Sequence, residues 1–462
     1  MDSKELFFTR KTGFDQAAPE AVQAYAEGYK AFLNEGKTER DGVAAMVAMA
    51  GKVGFRPYTR GMAVQPGDRL YQVNRDKGII LAIIGEEPLS AGVHLTAAHM
   101  DAPRIDIRTV PLYEQDGMAF FKTHYYGGIK KYQWMAIPLE LRGVVCVCRD
   151  GEIKRVPVRI GDKSGDPRFV ITDLLPHLAA DQMKKPVLEA FKGEGLNILI
   201  GSTPSATEDE GCTEKIKLGV LEYLNEKYGM TETDFLSAEL TCVPAFDATD
   251  IGFDRSLVGA YGHDDRVCCY PAATALMELT ETPRHTCVCL LVDKEETGSD
   301  GVTGMQSRHF DTFMGDLCRG AGVELDECFE HSICLSADVC NAFDPNFAEV
   351  SESRNDSRIN CGLVITKYTG ARGKSGTSDA TAELMARVRT ILDGAGVRWQ
   401  TGQLGRVDQG GGGTVAMYLA NRNIDTVDAG VPVLSMHAPF EVIAKLDLYM
   451  AYKGFGAFYL AE

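Results

Sequence analysis

Five stretches of the chain place an acid or an imidazole directly after an apolar run, and these are the side chains with chemical potential. His99 and Asp101 follow residues 93–98, and Asp264 and Asp265 follow 258–262. Glu295 and Glu296 follow 290–292, Asp338 follows 332–337, and His437 follows 431–436. In an open α/β sheet, reactive groups gather beyond the carboxyl ends of the strands. His99, Asp264, Glu296, Asp338 and His437 together offer two imidazoles and three carboxylates, a sensible ligand set for two divalent metals if one carboxylate bridges. Metals about 3.5–4 Å apart can share a water and clamp both the attacking oxygen and the carbonyl oxygen of a peptide bond. Glu295 would then be free to take the proton of that water. Zinc is the default for such mixed ligands, and cobalt or manganese fits the same groups. Asp101, two residues after His99, suits a carboxylate that orients a ligand imidazole.

Each of these residues also has a plainer reading. Adjacent glutamates in a loop are usually a solvated turn, and a lone histidine at a strand end is usually satisfied locally. Acids at a loop-to-helix junction most often cap the helix. It is the recurrence of the same placement along the chain that favours a shared site.

The elements that must position these residues follow from hydrophobic periodicity and turn chemistry. Helices are expected over 19–34 and from Thr38 and Asp41 to about 51–54, where glycines end the run. Strands are expected at 70–73, 78–84 and 93–98. From Arg104 the pattern becomes β-rich, with strands near 105–108, 144–147 and 156–160 and a hairpin turn at Arg149-Asp150-Gly151. Residues 193–209 read as loop and 215–227 as a short helix. The α/β pattern then resumes: a helix after Asp264, the 290–292 strand, a helix near 306–318 and strands at 332–337 and 363–367. A helix over about 377–392, the glycine run 410–413 with a helix after it, and a 431–434 strand follow, with His437 preceding a final long helix. The expected organisation is a catalytic domain in two parts, 1–103 and 241–462, with a β-rich domain inserted at 104–240.

The composition narrows the partners. With 462 residues and 45% hydrophobic content, the chain can bury a large core. A net charge of −17 disfavours nucleic acid and anionic membrane surfaces. The 13 cysteines are odd in number, lie partly in strand-like runs and form no Cys-x-x-Cys pair, so reduced core thiols in a cytoplasmic protein are expected. Gly373-Lys374-Ser375 resembles the end of a phosphate-binding loop, but Tyr368 stands where that loop needs its first glycine.

Taken in order, Ala98-His99-Met100-Asp101-Ala102-Pro103, Asp264-Asp265-Arg266-Val267, Asp293-Lys294-Glu295-Glu296-Thr297-Gly298-Ser299, Ser336-Ala337-Asp338 and Ser435-Met436-His437-Ala438 resemble the aspartyl aminopeptidase and vacuolar aminopeptidase I family of dinuclear zinc exopeptidases. The resemblance spans essentially the whole chain. It implies a mixed-sheet, phosphorylase/hydrolase-like α/β catalytic domain that hydrolyses peptides with a free N-terminus, with the inserted domain serving dimerisation and the dimers building a dodecamer. It assigns His99 and Asp338 to one metal, Glu296 and His437 to the other, Asp264 as the bridge, Glu295 as general base and Asp101 to His99. It further suggests that His177, in Pro176-His177, reaches a neighbouring subunit's site. Asn341 and Asp344 stand where many eukaryotic members carry histidines, and Arg372 and Lys374 are the candidate cations for an acidic substrate side chain. The expectation is a preference broader or more neutral than the family name suggests.

Overall fold

The computed structural model describes residues 6–462, which fall into two compact units. The larger is built on a nine-stranded sheet in the order Arg56–Pro57, Arg69–Asn74, Gly78–Ile83, Thr286–Val292, Val93–His99, Ile333–Ser336, Asp425–Gly430, Leu363–Thr366, Trp399–Thr401. The four strands from Thr286–Val292 to Asp425–Gly430 run parallel. Their register sets Val292 opposite His99 and Ser336 opposite Ala97, which brings the Glu295–Glu296, His99 and Asp338 segments to one edge.

Burial on both faces explains why Thr286–Val292 and Ile333–Ser336, and most of Val93–His99, read as apolar runs rather than alternating ones. Leu81, Ala98, Cys289, Leu291 and Leu335 pack into one core, and Ile80, Ala97, Val288, Leu290 and Cys334 into the other. Helix His263–Met277 is buried at every position, and its Cys268, Cys269, Ala272, Ala273 and Ala275 are small enough to admit close neighbours. The final helix, Lys445–Tyr459, joins the same core. A five-stranded sheet, in which Leu257–Ala260 pairs with Glu441–Ala444 and the latter with Pro432–Leu434, carries the chain into Asp264.

The smaller unit is a seven-stranded antiparallel sheet, in the order Glu152–Ile160, Leu139–Arg149, Ala238–Pro244, Arg104–Gln115, Met118–Tyr126, Ile198–Gly201, Val170–Ile171. Asp150 and Gly151 take φ of 50° and 80°, the left-handed pair that a two-residue hairpin demands. The chain leaves the larger unit after Ala102 and returns at Asp247, because strand Ala238–Pro244 lies inside the smaller unit's sheet; His437–Pro439 also group with that unit.

Several local expectations need correction. Residues 193–209 are not all loop: Ile198–Gly201 is a strand between two partners, which supply the pairing that a short run flanked by glycines cannot declare by itself. The helix expected from 377 begins at Ala382, where Thr381 caps it by accepting the Leu384 N–H at 3.2 Å. The helix expected from 306 begins at His309. Strand Asp425–Gly430 was not expected, and strand Glu441–Ala444 stands between His437 and the last helix.

Candidate metal centre

His99 ends a fully buried strand, and its imidazole is the hub of the site. Its Nε2 lies 3.3 Å from an Asp264 oxygen, 3.8 Å from Glu295 Oε2 and 4.0 Å from an Asp338 oxygen. Its other nitrogen, Nδ1, is 3.0 Å from the Asp101 carbonyl oxygen and 3.3 Å from Asp101 Oδ1. An imidazole held in this way through Nδ1 presents Nε2 to a ligand. The Cys269 thiol donates to the His99 carbonyl at 3.0 Å, which fixes the strand end from the helix side.

Asp101 does more than orient His99. Its two oxygens accept the backbone N–H groups of Glu295 and Glu296, each at 3.2 Å. The turn that carries these glutamates is strained, since Lys294 and Ser299 hold φ of 68° and 61° without being glycine, a cost on the order of 1 kcal/mol each. It is clamped on its far side as well. The Gly298 carbonyl accepts Gln306 Nε2 at 2.9 Å and the Tyr418 hydroxyl at 3.2 Å.

Asp264 sits at the mouth of the buried helix, past Gly262, whose φ of 77° and lack of a side chain are both required because a Cβ there would run into the Arg266 guanidinium. The Asp264–Asp265 peptide bond is cis. The Asp264 N–H donates to a Glu441 carboxylate oxygen at 3.1 Å.

The electrostatics of the cluster are those of acids crowded together away from water. Burial raises Asp338 well above the usual carboxylate range, and Asp265, Glu295 and Asp264 add to it. Burial likewise raises Asp265, with Asp264 reinforcing it. Burial alone would lower the His99 pKa, yet Asp101, Asp264 and Asp265 outweigh it and hold the imidazole well above its ordinary value. A divalent cation relieves all of these conflicts at once, because it supplies the positive charge for which the carboxylates otherwise compete. Among the described residues, two groups have donor atoms within 4.8 Å of one another, His99–Asp264–Glu296 and His99–Asp265–Asp338. The donor set is the nitrogen and oxygen mixture that zinc accepts.

Of the residues expected from the sequence, the structure thus brings together His99, Asp101, Asp264, Glu295, Glu296 and Asp338. His437 is in neither group; its φ is 65° and its Nδ1 lies 2.8 Å from the Gly128 carbonyl oxygen. His177 is exposed in a turn of the smaller unit. Lys374 is engaged by Asp379 at 2.7 Å and lies 3.9 Å over the Tyr368 ring, and Asp344 caps a short turn by accepting the Asn346 N–H at 2.8 Å. In the sequence Asp265 carries only the helix-capping reading that it shares with Asp264, and no local pattern marks Tyr418, Gln306 or Glu441.

The profile of the family described as Aminopeptidase I zinc metalloprotease (M18) matches residues 32–459. A probable M18 family aminopeptidase 1 from Clostridium acetobutylicum is 45% identical, with 96% of each chain covered. The crystal structure of an M18-family aminopeptidase from Thermotoga maritima superposes with a TM-score of 0.93 at 41% identity, covering 99% of this chain and 100% of that one. The fold also matches the S. cerevisiae mApe1 dodecamer structure, with a TM-score of 0.78 at 21% identity over 95% of this chain and 97% of that one. The chain belongs to the M18 family of zinc metalloproteases. It is a metal-dependent aminopeptidase, a hydrolase that removes the N-terminal residue of peptides.

Proposed function

We propose that the cluster around His99 holds two divalent ions, zinc by default, and that Glu295 is the general base of peptide hydrolysis. The observation that carries this reading is the approach of three carboxylates, from three separate strand ends and junctions, to within 3.3–4.0 Å of a single imidazole nitrogen. In this assignment His99 and Asp338 serve one ion, Glu296 and His437 the other, and Asp264 bridges them. When bound, the ions supply Lewis acidity, polarising the scissile carbonyl and acidifying a water. The protein's own groups do the rest. Glu295 Oε2 takes the proton from the attacking water and passes it to the departing amine. Asp101 holds Glu295 and Glu296 by their backbone N–H groups and His99 by its ring, so that base and ligands move as one body.

The substrate preference is inferred from the candidate cations. An acidic N-terminal residue needs a dedicated cation, whereas Lys374 is already committed to Asp379 and the Tyr368 ring. A broad or neutral preference is therefore expected. The working unit is a homo-oligomer, a dodecamer built from dimers, in which His177 serves a neighbouring site. Leu174, Leu175, Leu178, Met183, Val187 and Leu188 surround His177 in the sequence and are exposed, which suits burial against another subunit. The thirteen free thiols suit a reducing cytoplasm, and among the described residues no helix is long and apolar enough to cross a membrane.

The test is hydrolysis of aminoacyl chromogenic substrates by metal-stripped protein and after titration with zinc, cobalt or manganese. Activity should return with two ions per chain. Undiminished turnover by stripped protein would overturn the metal assignment, and a tenfold or greater preference in kcat/KM for Asp and Glu over Leu, Met and Ala would overturn the neutral preference.

A further inference from the structure

One acid of the cluster is left without a role. Asp265 is fully buried, and one of its oxygens falls within the same 4.8 Å group as a His99 ring nitrogen and an Asp338 oxygen. Its Oδ2 accepts the His99 backbone N–H at 3.2 Å. Its Oδ1 is enclosed and accepts no hydrogen bond. Helix capping does not account for it, because its backbone donor belongs to a strand end 166 residues earlier and not to its own helix. A carboxylate stripped of water is ordinarily compensated by a cation or by several N–H donors, since burying it otherwise costs several kcal/mol. One amide and the weakly donating Cys268 thiol are a poor substitute.

We propose that Asp265 is a working member of the metal centre on its His99–Asp338 side, where it fixes the His99 backbone through Oδ2 and brings a full negative charge to the ion through Oδ1. This deepens the two-ion reading above and rests on it. The site then carries more negative charge on the His99–Asp338 side than the five ligands alone provide, and the ion there should be the more tightly held of the two.

Calorimetric titration of metal-stripped protein with zinc and with cobalt, together with the visible absorption of the cobalt-loaded form, separates the possibilities. Wild-type protein should bind two ions per chain; if it does not, the two-ion reading fails before Asp265 is in question. Asp265→Asn keeps the shape and removes the charge, and it should weaken one of the two sites by about 10–100-fold, the range seen when groups supporting metal ligands are changed. The cobalt spectrum should change with it, which a purely structural role would not produce in a variant that melts like wild type without metal. Both isotherms within twofold of wild type and an unchanged spectrum would overturn the proposal. Should Asp265→Asn fail to fold, a structure of wild-type protein loaded with cobalt decides: Oδ1 directed at the His99-side ion supports the assignment, and Oδ1 turned away onto another protein group refutes it.

Discussion

Asp101→Asn tests the central geometric idea, that a single buried carboxylate holds the ligand imidazole and the catalytic turn together. The two oxygens of Asp101 each accept one backbone N–H, from Glu295 and from Glu296, at 3.2 Å. Asparagine has the same shape but only one acceptor oxygen, so one of those N–H groups would face an amide NH2. A hydrogen bond to a charged group is worth about 1.5–3 kcal/mol, and the surviving one would fall to the neutral level, about 1 kcal/mol weaker. The turn, already strained at Lys294 and Ser299, would lose about 2.5–4 kcal/mol of support. If that loss falls on the productive position of Glu295, turnover drops by about 10²–10³-fold, at about 1.4 kcal/mol per decade. The assay is kcat at saturating substrate and metal, with bound metal counted and the melting temperature recorded on the same sample. A variant that holds both ions and turns over within about threefold of wild type would refute the reasoning.

Glu295→Gln should keep both ions while lowering kcat by about 10²–10⁴-fold, as loss of a general base does; near-normal turnover would remove Glu295 from that role. Asp264→Ala should lose metal as well as activity, because the repulsion between two cations is then unshielded, and two ions per chain in that variant would refute the bridge. Mixed oligomers of His177→Ala and Glu295→Gln chains should recover part of the activity if His177 acts across subunits, and verified mixed assemblies with none would count against it. Stability should also depend on His94, whose burial lowers its pKa to about 4, with the stacked His285 and the charge of Arg387 contributing in the same direction. The unfolded chain takes up this proton near its ordinary 6.5 and the folded protein only near 4. The contribution is therefore fully present above about pH 6.5 and lost as pH falls towards 4, amounting to about 3 kcal/mol at about 1.4 kcal/mol per pH unit. Denaturant titrations of His94→Asn across that range should show a flatter acid limb than wild type, and identical slopes would dismiss His94 as the cause.

The residues of the candidate site were legible in the sequence for a physical reason. Parallel strands buried on both faces are mostly apolar, so a cluster of polar residues at or just past the end of such a run stands out, and His99, Glu295, Glu296 and Asp338 are all of this kind. Turns with demanding backbone angles were legible too, because Asp150-Gly151 is among the few pairs that tolerate them. Strand Ile198–Gly201 was not, since its stability comes from partners distant in sequence, and the start of the helix at Ala382 was missed because Thr377 and Thr381 are both plausible caps until one of them is engaged elsewhere by Thr369.

What the sequence determined by itself was therefore the identity of the chemical groups and the element that presents each one, because hydrophobic period and turn preference are local properties. Which group touches which was decided only by the tertiary structure. Asp101 grips the glutamate turn because strand register sets Val292 beside His99. Tyr418 and Gln306 meet on one carbonyl though 112 positions separate them in the chain. Asp265 reaches Asp338 and His99, the latter 166 residues back in the chain, because the backbone at Asp264 and Asp265 is not helical. Distances of this kind arise from the packing of distant segments, and no local pattern encodes them.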